Sequence, residues 1–299
     1  NYPMDNVVRI MTSVDGMNTR ASYGNSADKL KSFGFCIKNA NSEKYTYDNI
    51  KVSQKGYNWI PATQMLWQNS TTAVDILAYA PYQETTEDAN GKVKVFGKTD
   101  YAFSVKEDQS NAEDYSSDLI VFKQTGFTPV SELNTSKAVE VAFTHLLSQL
   151  NLIIELRDQF NTNNNTVTKG FVTDVKVNGT IISSKVDFSA SPISVQVDGT
   201  QTAAITPETT GFTPAENATA HAVFNYSAIV IPQTVAAGNF SISFKVNNTE
   251  YIWTATDAVT FESGKKHELH LLAGKDVVQG GAISAKPWGK ETITEKETD

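Results

Sequence analysis

The chain has 299 residues, 40% hydrophobic and 19% charged, enough apolar material for a buried core and enough length for two domains of roughly 130–160 residues each. A net charge of −8, with lysines and arginines scattered rather than striped beside aromatics, argues against a nucleic-acid surface and against an electrostatic hold on anionic lipid. A single cysteine, Cys36, excludes an internal disulfide and a Cys/His metal centre, and the sequence contains no run of about 18 apolar residues that would cross a bilayer as a helix.

Period-two alternation, the signature of half-buried strands, runs through the chain. Val7, Val8, Ile10 and Met11 form a short strand candidate near the start. Residues 26–31 read as a helical turn. Phe33, Phe35 and Ile37 alternate, and Cys36 between them reads as a small buried hydrophobe rather than a nucleophile. Residues 74–80 form a longer apolar run that Pro81 ends. Tyr101, Phe103 and Val105 alternate, and residues 119–122 are a short buried strand candidate. Gly126, Pro129 and Asn134 mark residues 125–136 as the best domain boundary.

Beyond it, Val139, Val141 and Phe143 alternate. Residues 146–154 read as a kink and a further strand, with one helix as the alternative. Val175 and Val177 lead into Asn178-Gly179 and Ile181-Ile182, a predicted hairpin. Ile193, Val195 and Val197 alternate, as do Phe224, Tyr226, Ala228 and Val230 up to Pro232. Phe240, Ile242, Phe244 and Val246 run to Asn247-Asn248, and Tyr251-Ile252-Trp253 returns as the second arm of another hairpin. Residues 83–98, 106–117, 161–169 and 201–220 read as long polar loops, and residues 291–299 as a frayed polar tail. The expectation is an all-β chain of two sandwich domains, 1–132 and 133–299.

Converging chemistry is missing from this pattern. His267 and His270 are three apart in a strand and face opposite sides of it. His145 sits in an apolar block and reads as a satisfied core or rim histidine, while His221 falls in a loop. No nucleophile elbow, zinc-protease, P-loop or dinucleotide motif is present. Glu107, Asp108, Glu113, Asp114 and Asp118 lack calcium-loop spacing and read as a solvated acidic loop. No catalytic residue, metal or cofactor is therefore expected, and the chain reads as a non-enzyme. Tyr45, Tyr47, Tyr57, Trp59 and Trp67 concentrate in the first half. They read as core and edge packing, with Trp59 and Trp67 as sugar-stacking residues of a carbohydrate-binding surface module as the alternative.

Several blocks in order resemble the fimbrillin-like (Mfa-like) cell-surface proteins of Bacteroides-type bacteria. They are Thr19-Arg20-Ala21 with Leu30-Lys31-Ser32-Phe33-Gly34-Phe35; Trp67 with the Ala78-Tyr79-Ala80-Pro81-Tyr82 ending; Val139, Val141, Phe143, His145, Leu147, Ser148 and Leu150; and Thr260-Phe261, Gly264-Lys265, Leu269, Leu271 and the close at Trp288. The resemblance implies two tandem transthyretin-like β-sandwiches. It implies export as an outer-membrane lipoprotein, with the lipid-bearing cysteine ahead of Asn1, and a place in the fimbrium as a type V pilus subunit, tip, anchor or adhesin. The implied partners are other pilus subunits, a host or bacterial surface receptor and an arginine-specific protease. Assembly would proceed by strand exchange, in which a segment of one subunit completes the sheet of the next. On that reading Arg20 is the processing site and residues 7–14, with Val7, Val8, Ile10 and Met11, the removable strand. The resemblance favours residues 273–288 as the donor, yet Gly280-Gly281 interrupts their alternation and the tail beyond is too polar to fill a groove, which leaves tip, anchor and stand-alone adhesin open.

Overall fold

A computed structural model describes residues 1–14, 29–84, 95–162 and 165–288. The protein is all-β. A seven-stranded sheet runs in the order β1 (Ile10–Val14), β8 (Val139–His145), β7 (Ile120–Phe127), β5 (Val74–Ala80), β2 (Ser32–Lys38), β3 (Tyr47–Lys55) and β4 (Asn58–Pro61). Every neighbouring pair is antiparallel except β1 on β8, which is parallel. The strand β8 lies beyond residues 125–136, where a single helical turn, α1 (Pro129–Glu132), sits, yet it pairs back onto β7 and β1.

A second sheet carries β14 (Glu208–Thr213), β15 (Ala222–Val230), β9 (Ser148–Leu156), β20 (Lys265–Ala273) and β21 (Val278–Gly280), with β22 (Ser284–Pro287) also on β20. Facing it are β13 (Thr202–Ile205), β10 (Val172–Ile181), β17 (Ser241–Val246) and β18 (Thr249–Thr254) in one sheet. A third small sheet joins β12 (Ser194–Val197), β11 (Ser183–Asp187) and β6 (Tyr101–Ser104), and β16 (Gln233–Val235) pairs with β19 (Val259–Phe261).

The apolar run at β5 is long because that strand is buried on both faces. Ile76, Ala78 and Ala80 enter a core with Phe33, Phe35, Ile37, Val139, Val141 and Phe143. Leu77 and Tyr79, pointing the other way, join Cys36, Tyr101 and Phe103 in the larger core that extends through the second half. Cys36 is fully buried and burial pushes its thiol well up, so it is an inert core residue.

Residues 146–154 resolve as kink and strand, and the β17–β18 hairpin turns at Asn247 and Asn248, whose φ values of 46° and 68° suit the twist of paired strands. Two expectations fail. Asn178-Gly179 is not a hairpin turn: β10 continues through it with a register irregularity between Val177 and Thr180. Gly179 has φ 102° and a Cβ there would lie 2.0 Å from the Asn239 carbonyl oxygen, so the glycine serves a close backbone approach instead. Residues 201–220 are not simply a loop either; they hold β13 and the threonine-rich β14, which pair at sheet edges without a strong apolar stripe.

A candidate strand-exchange site at the N-terminal edge

The first 14 residues cross two elements. Val8 donates its N–H to the Met65 carbonyl at 2.9 Å, and Trp67 donates to the Asn6 carbonyl at 2.8 Å, with Val7 bridged antiparallel to Leu66. The chain then swings onto β8: Val139 donates to the Arg9 carbonyl at 2.8 Å, and the register runs from Ile10 opposite Val139 to Val14 opposite Phe143. Asn6, at φ 57°, makes the change of direction, a conformation asparagine tolerates.

Alternation decides which side chains hold this segment. Val8, Ile10 and Val14 are buried, at 3%, 7% and 3% exposure. Their burial contributes about 5–9 kcal/mol gross at roughly 1.5–3 kcal/mol each. Met11 faces outward at 46% exposure, with its sulfur 3.3 Å from the Asn134 side-chain amide, and Val7 is half-buried. Thr12 shares the inward face with Ile10 and Val14, and its Oγ1 is buried with no hydrogen-bond partner among the described residues. Arg9 points outward and pairs with Asp5 at 2.6 Å. Its guanidinium, together with the Val7 N–H, holds the Asp5 carboxyl at about 2, well below the usual carboxylate range.

Among the described residues β1 is paired along one edge, with β8, and lies at the sheet margin. Across from it lies the other margin, β4, and Val7, Ile10, Met11, Trp59 and Ile60 line a groove of about 690 Å³ between them. Trp59 is half-buried and meets Phe33 edge-on at 5.1 Å. Trp67 is 3% exposed and stacked on Phe127 at 5.7 Å, so its faces are taken by the core and it offers nothing to a sugar ring. The two tryptophans therefore do not form a stacking platform. Arg20 lies outside the described residues.

Elsewhere the histidines are absorbed by structure. His145 is buried, with Nδ1 2.8 Å from Asp118 Oδ1 and its ring stacked on Trp288. His267 is buried and His270 exposed on the opposite face, where it meets Glu155 at 3.0 Å. Among the described residues no group of three His, Cys, Asp or Glu is placed to hold a metal ion. No helix among them is long and apolar enough to cross a membrane. The partner of β1 was beyond sequence reasoning, because β8 lies 129 positions along at the Ile10–Val139 pair and no local signal links them. The inward alternation of Val8 and Ile10 was visible.

The described residues form an all-β fold whose N-terminal strand sits at a sheet margin. The sequence profile of the fimbrillin-like family matches residues 19–288, and the chain belongs to that family. Solved structures share the fold. A proposed cell adhesion protein from Bacteroides uniformis is 18% identical, with 95% of this chain and 100% of that one covered and a TM-score of 0.63. Another from Bacteroides ovatus is 14% identical, with 97% and 99% covered and a TM-score of 0.66. A fimbrial protein from Bacteroides vulgatus is 16% identical, with 94% and 99% covered and a TM-score of 0.54. None of the curated proteins matches the chain.

Proposed function

We propose that this chain is a cell-surface fimbrial subunit that assembles by strand exchange, with β1 as the strand that leaves and its seat on β8 as the acceptor groove. One observation carries the reading: among the described residues β1 is a terminal strand of its sheet, paired with β8. Its departure exposes the β8 edge and the seats of Ile10 and Val14 and leaves the order of the other six strands whole, while the seat of Val8 opens once the contacts of residues 6–8 with residues 65–67 are given up. The other two arginines support Arg20 as the processing site. Arg9 accepts a hydrogen bond from Val139 through its carbonyl, and Arg157 donates its N–H to the Ala273 carbonyl. A protease needs an extended, detachable stretch of backbone, which neither offers.

On this reading the chain holds two tandem transthyretin-like sandwiches, 1–132 and 133–299, with β8 crossing back to complete the first sheet and β6 crossing forward to pair with β11. The C-terminal strands β21 and β22 fold back on β20, and Trp288 is buried. A strand committed to its own sheet is a poor donor, which favours a tip, anchor or adhesin position over a stalk one. The partners proposed with this reading are other pilus subunits, an arginine-specific protease and a surface receptor, with the outer membrane as the proposed location.

The test is limited digestion with an arginine-specific protease, followed by gel analysis with candidate fimbrial subunits from the same cell. Cleavage at Arg20, loss of the N-terminal fragment and a new high-mass band are expected. A chain that stays uncut at Arg20, or that is cut yet associates no differently, overturns the proposal.

A further inference from the structure

We infer that the groove under β1 selects its incoming strand at the position opposite Val141, taking from a different subunit a segment parallel to β8 that carries a β-branched aliphatic residue where β1 carries Thr12. The inference rests on the strand-exchange reading above and names the kind of donor that the groove fits.

The observation is the Thr12 hydroxyl. Its Oγ1 is buried, faces a core built from Val139, Val141 and Phe143, and has no hydrogen-bond partner among the described residues. A hydroxyl that gives up water without replacement weakens the strand that carries it. Valine has nearly the shape of threonine, fits the same extended backbone and brings no polar atom. The resident strand therefore fills its groove well at Val8, Ile10 and Val14 and badly at one place. A strand that keeps the three good positions and corrects the fourth binds more tightly, which gives exchange a direction.

The C-terminal strands and residues 289–299 of a second copy do not supply such a strand. The exposed segment β22 reads Ser-Ala-Lys-Pro, and β21 ends on Gly280, packed so closely that a Cβ there would lie 2.5 Å from Trp253 Nε1. Residues 289–299 hold one aliphatic residue, Ile293. Seating Ile293 in any one pocket brings Glu291 and Glu295, two positions either side, to the neighbouring pockets. Buried carboxylates without partners do not stay there.

The test uses the full chain with a specific protease site inserted within residues 15–28, cut but not denatured. Labelled synthetic peptides of residues 5–14 are added in excess, and their incorporation is followed by fluorescence anisotropy. The peptide with Thr12→Val is expected to displace the resident strand about tenfold more effectively than the unaltered peptide. A Ser13→Val peptide, altered on the outward face, is expected to match the unaltered one within about twofold. Equal incorporation of the Thr12→Val and unaltered peptides overturns the inference and leaves strand exchange standing. Failure of every peptide to enter overturns both.

Discussion

His145 and Trp288 lie face to face, their ring centroids 3.8 Å apart and their planes within 3° of parallel. At the edge of the imidazole, Asp118 Oδ1 meets Nδ1 at 2.8 Å. The cluster ties the end of β8, in the first sheet, to a tryptophan just past β22 on the second. Replacing Trp288 by alanine removes a buried ring from this junction and is expected to lower stability by about 3–5 kcal/mol. Urea unfolding measures this, and a loss under about 1 kcal/mol would mean the ring is not a structural anchor.

Lys123 bridges the two halves differently. Its ammonium donates to the carbonyls of Phe188, Ser189 and Ala190 at 2.9, 3.0 and 3.0 Å. Desolvation pushes its pKa down, while the Asp75 and Asp187 charges pull the other way. Lys123→Met keeps the stem and leaves three carbonyls without their donor. It is expected to cost about 1.5–3 kcal/mol and to speed proteolysis of the turn that follows β11. Unchanged proteolysis in the variant would count against the bridge.

Gly179 is the clearest backbone constraint. A side chain there meets the Asn239 carbonyl, which belongs to the backbone and cannot rotate aside, and φ is 102°. Gly179→Ala is expected to destabilise by more than about 2 kcal/mol. Gly199→Ala, at φ 79° with nothing within 4 Å of the added Cβ, is expected to cost about 1 kcal/mol from the dihedral alone. Thermal unfolding of the two variants side by side checks the ordering.

Acid should loosen the N-terminal segment. Asp5 has a folded-state pKa of about 2 against an ordinary 3.8, set by its hydrogen bonds to Arg9 and to the Val7 N–H. A depressed carboxylate contributes fully above its unfolded value and loses that contribution as pH falls through the folded one. The local order of residues 5–9 should therefore fall between about pH 4 and pH 2, read from the Val7 amide resonance. Asp5→Asn should flatten that window, and a variant with the same acid response would assign the effect to another group.

Much of the fold was legible because its cause is local. Alternation placed β8, β15, β17 and β18, and the double burial of β5 explains why Val74–Ala80 read as one apolar run. The errors were also local. Asn-Gly in β10 obeys hairpin chemistry, but the close approach of Asn239 is a tertiary fact. The candidate site was half legible: the inward phase of Val8 and Ile10 follows from period two, whereas pairing with Val139, the burial of Trp67 and the orphaned Thr12 hydroxyl depend on contacts distant in sequence.

The most direct test of the account pins β1 in place. Ser13 and Ala142 are register partners on the outward face of β1 and β8, where two cysteines can be bridged across neighbouring strands. In the Ser13→Cys, Ala142→Cys chain, cut within residues 15–28 and offered a labelled peptide of residues 5–14, incorporation is measured before and after reduction. The account predicts none while the bridge is closed and exchange once it is reduced. Equal incorporation in both states, or none in either with the fold intact, would contradict it.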